Sequence, residues 1–172
     1  ENLVKALNNL LPEDITVAEA IEVPETFDAI SDTKSKIYRY TIYTGPVRPV
    51  LDIRHCWHRP GILDIKKMEQ AALLLLGQHD FKSFASAADQ RKSSIRTILK
   101  CEISREETFI HIDVEADGFL YNMVRNIVGT LVEVGRNRWV PEIINDILDA
   151  KDRSAAGPIA PPGGLCLMQI FY

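Results

Sequence analysis

The 172-residue sequence predicts an α+β fold, an antiparallel sheet of about four strands with helices packed on one face. Two kinds of periodicity carry the prediction. Lys36-Ile-Tyr-Arg-Tyr-Thr-Ile-Tyr-Thr44 is dense in β-branched and aromatic residues, and Ile110, Ile112 and Val114 alternate with His111 and Asp113. Residues 64–77, 118–135 and 141–150 instead repeat their apolar side chains at the ~3.6-residue period of a helix.

Taken in order, Leu3, Leu7, Leu10 and Leu11 recur at helical spacing until Pro12 stops the helix. Ile15–Val23 reads as a strand of imperfect alternation, and Phe27–Thr33 as a loop rich in Asp and Ser. Alternation along the strand at 36–44 puts Tyr38, Tyr40 and Ile42 on one face, with Ile37, Arg39, Thr41 and Tyr43 on the other. Tyrosines so placed more often serve core or edge packing than a binding surface. Pro46, Pro49, Pro60 and Gly61 mark turns around His55-Cys56-Trp57-His58. That cluster does not read as a metal site, because strand neighbours point to opposite faces and no second ligand pair follows at a fixed spacing. We predict no metal.

Asp64 is the expected N-cap of the helix at 64–77, Gly77 its stop, and Ile65, Met68, Ala72 and Leu75 its buried stripe. Ile95–Ser104 and Thr108–Ala116 read as strands joined by a Glu-rich hairpin turn. Pro141 opens the last helix, with Ile143, Ile144, Ile147 and Leu148 as its stripe. Residues 152–165 are too rich in Pro and Gly for regular structure, and Leu165–Tyr172 closes the chain as a strand.

The chain is organised around Gly118–Gly135. Leu120, Met123, Val124, Ile127, Leu131 and Val134 form one apolar stripe, and Asn122, Arg125, Asn126, Gly129 and Glu133 lie opposite it. Gly129 costs about 1 kcal/mol relative to Ala inside a helix. A sequence that accepts this cost needs a backbone or a ligand to lie close there. Periodicity alone fits a buried helix carrying a solvated Arg125.

Apolar residues make up 46% and charged residues 26%, as in globular proteins, and no apolar run approaches the ~20 residues of a membrane span. Three cysteines without framework spacing suit a reducing, cytoplasmic setting. The net charge of −4 argues against nucleic acid, but its distribution does not. Residues 1–33 carry one Lys against eight acids, residues 34–59 six basic groups against Asp52, and residues 89–105 five basic groups against two acids. The two basic segments fit a local phosphate-binding face, or equally the solvated faces of strands. The chain opens on Glu1 and not Met, which reads as a piece cut from a longer chain.

Phe119-Leu-Tyr-Asn-Met-Val-Arg-Asn-Ile-Val-Gly-Thr-Leu131 resembles the signature helix of the tRNA pseudouridine synthase A family. The resemblance runs from about residue 2 to the end. Leu7-Asn-Asn-Leu-Leu-Pro12 is similar to the family's linker, so residues 1–13 are expected as a hinge and 14–172 as the C-terminal RNA-binding and active-site domain. Phe27-Asp-Ala-Ile30 with Lys36-Ile-Tyr-Arg-Tyr40 resembles the family's Phe-His-Ala-Arg…Arg-x-Tyr-x-Tyr segment. Gly77-Gln-His-Asp-Phe-Lys-Ser-Phe84, Lys92-Ser-Ser-Ile-Arg-Thr-Ile98 and Asp152–Leu165 are similar to its cleft-wall motif, strand entry and Pro-rich loop. Asp28 and Ile30 depart from the family's His and Arg, which removes two RNA-contacting groups.

The resemblance implies the C-terminal half of the pseudouridine synthase fold. It implies isomerisation of uridine to pseudouridine in the tRNA anticodon arm (tRNA positions 38–40), without cofactor or metal, by a homodimer with RNA lying across both subunits. Tyr38 is then the residue that stacks on the target base, and Arg125 the partner of the catalytic aspartate. Lys36, Arg39, Arg96 and Asn122 are expected as further substrate contacts, with Lys34, Arg91 and Lys92 on a common RNA-facing surface. The family's catalytic aspartate lies in a Gly-Arg-Thr-Asp-x-Gly-Val-His motif that this sequence does not contain. The chain is therefore expected to be inactive alone. A non-catalytic RNA-binding module and a structural or assembly domain are the rival readings.

Overall fold

The computed structural model of the protein describes residues 2–172. They divide into two units, one ending at Asp32 and the other spanning Thr33–Tyr172. In the first, α1 (Asn2–Asn8) is tethered by its last residue, whose amide donates to Val17 O at 2.9 Å and accepts from Val17 N at 2.7 Å. The strand expected at Ile15–Val23 does not form. Ile15, Ile21 and Val23 are exposed, with Ile21 at 73%, and the described residues of this unit contain no strand to pair with. Propensity without a partner does not make a strand. Asp28 closes the acidic loop by accepting from the amides of Ile30 and Ser31 and from the Ser31 hydroxyl.

The second unit is built on a six-stranded, mostly antiparallel sheet. Its centre is β1 (Ser35–Tyr43), which pairs antiparallel with β5 (Phe109–Ala116) on one side and with β6 (Leu165–Phe171) on the other. The hairpin of β4 (Ile95–Glu106) and β5 turns at Glu107, whose φ of 53° supplies the left-handed step. Two short strands raise the count above the expected four, β2 (Trp57–His58), parallel to β1, and β3 (Gly77–Asp80), antiparallel to β4.

Alternation makes the sheet two-sided. Tyr40, Ile42, Ile110, Ile112 and Val114 are fully buried beneath the helices. The other face carries cross-strand polar pairs, Arg39 with Asp113 and Thr41 with His111. The helices are α2 (Ile65–Leu73), α3 (Met123–Gly135) and α4 (Ile143–Ala150). Asp64 caps α2 as expected, accepting from Lys67 N at 3.2 Å. That helix stops short of Gly77 because Leu74, Leu75 and Leu76 switch to bonds onto the third residue back. The onset of α3 comes five residues later than periodicity predicts. Asn122 sits at φ 61°, which no right-handed helix contains, although Leu120 before it still enters the core.

The apolar stripe of α3 is buried as read, each large side chain contributing about 1.5–3 kcal/mol. Asn126, Gly129 and Glu133 on its polar face are buried too, as the close neighbour expected at Gly129 requires. The loop at 152–164 lies on it, and Gly129 is the reason it can. A Cβ there would stand 1.7 Å from Pro158 O, and one on Gly157 would stand 2.7 Å from Thr130 Cα. Backbone therefore meets backbone, and polar groups satisfy each other across the seam. Asn126 donates to Phe84 O at 2.7 Å and accepts from Arg153 at 2.9 Å, while Gly157 N donates to Thr130 Oγ1 at 3.0 Å. At the far end, Glu133 accepts from Arg136 and Arg138 at 2.9 and 3.0 Å.

Gly129→Ala is expected to destabilise the protein. Helix propensity favours Ala by about 1 kcal/mol, but the new methyl meets a backbone carbonyl that cannot step aside, at a cost of about 3 kcal/mol or more. Thermal denaturation should show a net loss, and a stabilised variant would refute the seam. A second expectation concerns acid. Burial pushes the Glu133 carboxyl up, but its two arginine partners outweigh that and hold it below the ordinary range. A depressed carboxylate stabilises above its unfolded pKa of about 4.3 and loses that contribution as pH falls through the lower folded value. Glu133→Gln should therefore cost about 1 kcal/mol at neutral pH and nothing once the carboxylate is protonated, as chemical denaturation across pH would read.

Candidate active site

Tyr38 lies two residues along β1 from the buried Tyr40 and therefore on the same face. Its ring meets Phe119 edge to face, with centroids 5.1 Å apart and an angle of 86°. The phenol ring is only half buried because the turn before α3 bends away at Asn122, leaving a cavity of about 260 Å³. Tyr38, Phe119, Asn122, Arg91 and Leu165 are among its walls.

Arg125 is half buried on the face of α3 beside this cavity. It does not line the cavity itself but joins it through Asn122. Its Nε donates to Ala160 O at 2.7 Å and its Nη1 to Asn122 Oδ1 at 3.0 Å. Ala160 N in turn donates to Arg125 O at 3.1 Å, so helix and loop hold each other at this point. A guanidinium carries five donors in a planar fork. Two are committed to neutral acceptors, and none of the ion pairs among the described residues includes Arg125. The remaining donors suit a carboxylate, which would bring the charge that a half-buried cation calls for. Tyr40 faces the same cation from β1, its hydroxyl donating to Pro161 O at 2.6 Å. Burial pushes that phenol well above its ordinary range, against the pull of the Arg125 charge.

The basic residues divide. Lys36 shares the Tyr38 face of β1 by alternation. Arg96 lies over Gly118, where a Cβ would stand 3.4 Å from its Nε, next to the Phe119 that packs on Tyr38. Arg91 and Lys92 line a second cavity of about 260 Å³ with Lys82 and Ser93, and it shares Arg91 and Leu120 with the first. Arg39 is not brought into this group. It emerges on the opposite face of the sheet and makes two 2.7 Å hydrogen bonds to Asp113.

Sequence reasoning missed the loop after Phe84. Asp89, with its side chain 5% exposed, pairs with Arg91 at 2.7 Å and accepts from Tyr121 N. The Asp89 carboxyl lies below its usual range; burial raises it, and the Tyr121 and Arg91 hydrogen bonds more than offset that. Ser86 N donates to Tyr121 O at 3.0 Å, and Asn122 Nδ2 donates to Ser86 Oγ at 2.9 Å. No local pattern signals the contacts to Tyr121 and Asn122, which join residues more than thirty positions apart.

A family model described as tRNA pseudouridine synthase matches residues 71–172. A tRNA pseudouridine synthase A from Moorella thermoacetica is 48% identical over 167 residues, covering 97% of this chain and 68% of that protein. One from Geotalea uraniireducens is 43% identical over 166 residues, covering 96% and 68%. A protein named tRNA pseudouridine synthase A 2, from Clostridium perfringens, is 45% identical over 172 residues, covering 100% and 70%.

Proposed function

Since the chain belongs to the tRNA pseudouridine synthase family, we propose that it contributes the base-holding and carboxylate-orienting half of a uridine isomerase site. The reaction breaks the glycosidic bond of a uridine, turns the uracil and rejoins it to the ribose through C5, releasing the C5 proton. The base must leave its stack to be reached, and Tyr38 offers a ring on which it can rest. The chemistry also needs a carboxylate, ionised and aimed. Arg125 is the residue to hold it, because a cation beside a carboxyl lowers its pKa and a guanidinium fork fixes its direction. The aspartate itself comes from outside the present sequence. The reading extends to uridines of the anticodon arm (tRNA positions 38–40), to a homodimer working in the cytoplasm, and to residues 1–13 as the hinge toward the aspartate-bearing domain. Arg91 in the wall of the base cavity, Lys92 in the adjoining cavity, and Lys36 and Arg96 on the same side serve as phosphate contacts, with Asn122 in the wall.

The observation that carries this is Arg125, anchored by two neutral acceptors with donors to spare, on the same face of the sheet as Tyr38. Tritium release from C5-labelled uridine in tRNA tests it. This chain alone should release no more than background. In the full-length enzyme, Arg125→Ala should cut turnover by about a hundredfold or more with tRNA affinity nearly kept. Tyr38→Ala should do comparable damage and Tyr38→Phe less. Full turnover in Arg125→Ala would end the reading.

The division of basic residues gives a separate expectation. Reversing the charges of Arg91, Lys92 and Arg96 should weaken tRNA binding and flatten its salt dependence, by about one unit of slope for each phosphate no longer neutralised. Arg39→Ala should leave the slope unchanged, since that cation already faces Asp113.

A further inference from the structure

Resting on the role proposed for Arg125, we infer that Ser86 is a positioning residue, which holds the Asn122 side chain in place and through it the orientation of the Arg125 guanidinium. The two ends of the Asn122 side chain have different partners. Its oxygen accepts from Arg125 Nη1 at 3.0 Å, and its nitrogen donates to Ser86 Oγ at 2.9 Å. A guanidinium has donors only, so it can be held by the oxygen end of an amide and never by the nitrogen end. The guanidinium therefore selects which end of the amide faces it, and the Ser86 hydroxyl, accepting from the nitrogen end, keeps the side chain from swinging away.

Two further observations fit a dedicated relay. Asn122 occupies the N-cap position of α3, yet its side chain makes no capping hydrogen bond, because its left-handed backbone points it elsewhere. Ser86 is itself fixed, through its own N–H on Tyr121 O at 3.0 Å, while Tyr121 N donates to Asp89. The loop from Ser86 to Arg91 is thus strapped to the turn that launches α3. The second anchor of Arg125, Ala160 O, fixes its Nε but leaves the plane of the fork free to swing about that bond. Asn122 removes this freedom. Tyr40 faces Arg125 from β1, and burial holds its phenol well above its ordinary range.

The test compares Ser86→Ala, Ser86→Thr and Arg125→Ala in the full-length enzyme, by single-turnover rate, tRNA Kd and the pH profile of the rate. Ser86→Ala is expected to lower the rate by on the order of tenfold with Kd unchanged within about twofold. A misdirected Arg125 depresses the pKa of its aspartate less, so the acid limb of the profile should move to higher pH. Ser86→Thr, which keeps the hydroxyl, should restore both. A Ser86→Ala enzyme with normal rate and acid limb, beside a crippled Arg125→Ala, would overturn the relay and leave the role of Arg125 standing. A rate loss with an unmoved acid limb, or one that Thr fails to rescue, would also overturn it. An active Arg125→Ala would instead remove the reading on which the relay rests.

Discussion

The close approach of two backbones at Gly129 is the constraint on which the rest of this structure depends. Without a side chain there, Pro158 O can sit against α3, and the loop at 152–164 can run along the helix instead of arching over it. Everything polar on that side follows from the contact. Gly157 finds Thr130, Arg153 finds Asn126, and Ala160 exchanges hydrogen bonds with Arg125 through both its amide and its carbonyl. The loop then crosses to β1, where Pro161 O receives the Tyr40 hydroxyl. One absent methyl group therefore connects the central helix to the central strand by way of an irregular segment.

Such a seam is a demanding way to build a core. Buried polar groups are costly unless every one is matched, and among the described residues no buried side-chain nitrogen or oxygen lacks a partner. The return is placement. An arginine on a helix surface would sweep through many rotamers in water, whereas Arg125 has its Nε and one terminal nitrogen engaged before any substrate arrives. Orientation settled during folding need not be settled again during reaction. The apolar stripe of α3 supplies the stability, and its polar face converts that stability into aim.

The sequence made some of this legible and concealed the rest for physical reasons. The stripe of α3, the β4–β5 hairpin and the need for a close neighbour at Gly129 were all readable, because period and glycine cost are local properties. β2 and β3 were not, since two and four residues are too few for alternation to appear. Ile15–Val23 misled in the opposite direction, having strand composition with nothing to pair to. Arg39 is the more instructive case, because the structure sets it apart from the cations near Tyr38. Alternation already set it opposite Tyr38, but grouping residues by charge along the chain overrode the two-residue period that decides which face a cation serves. The loop contacts of Ser86 and Asp89 were beyond reach, because they exist only once distant segments are side by side.

Asn122 shows how narrowly such a site can drift over evolutionary time. Its backbone angle of φ 61° admits Gly, Asn and Asp far more readily than other residues. Its side chain must offer an acceptor to Arg125 and a donor to Ser86 at once. Gly satisfies the backbone and neither contact. Gln satisfies the contacts in kind but carries its amide one carbon further out and resists the left-handed turn. Asp suits the backbone and the acceptor but places a permanent negative charge beside Arg125. Two independent filters thus overlap on a single amino acid, and a lineage can leave that choice only by changing the loop, the turn and the arginine together.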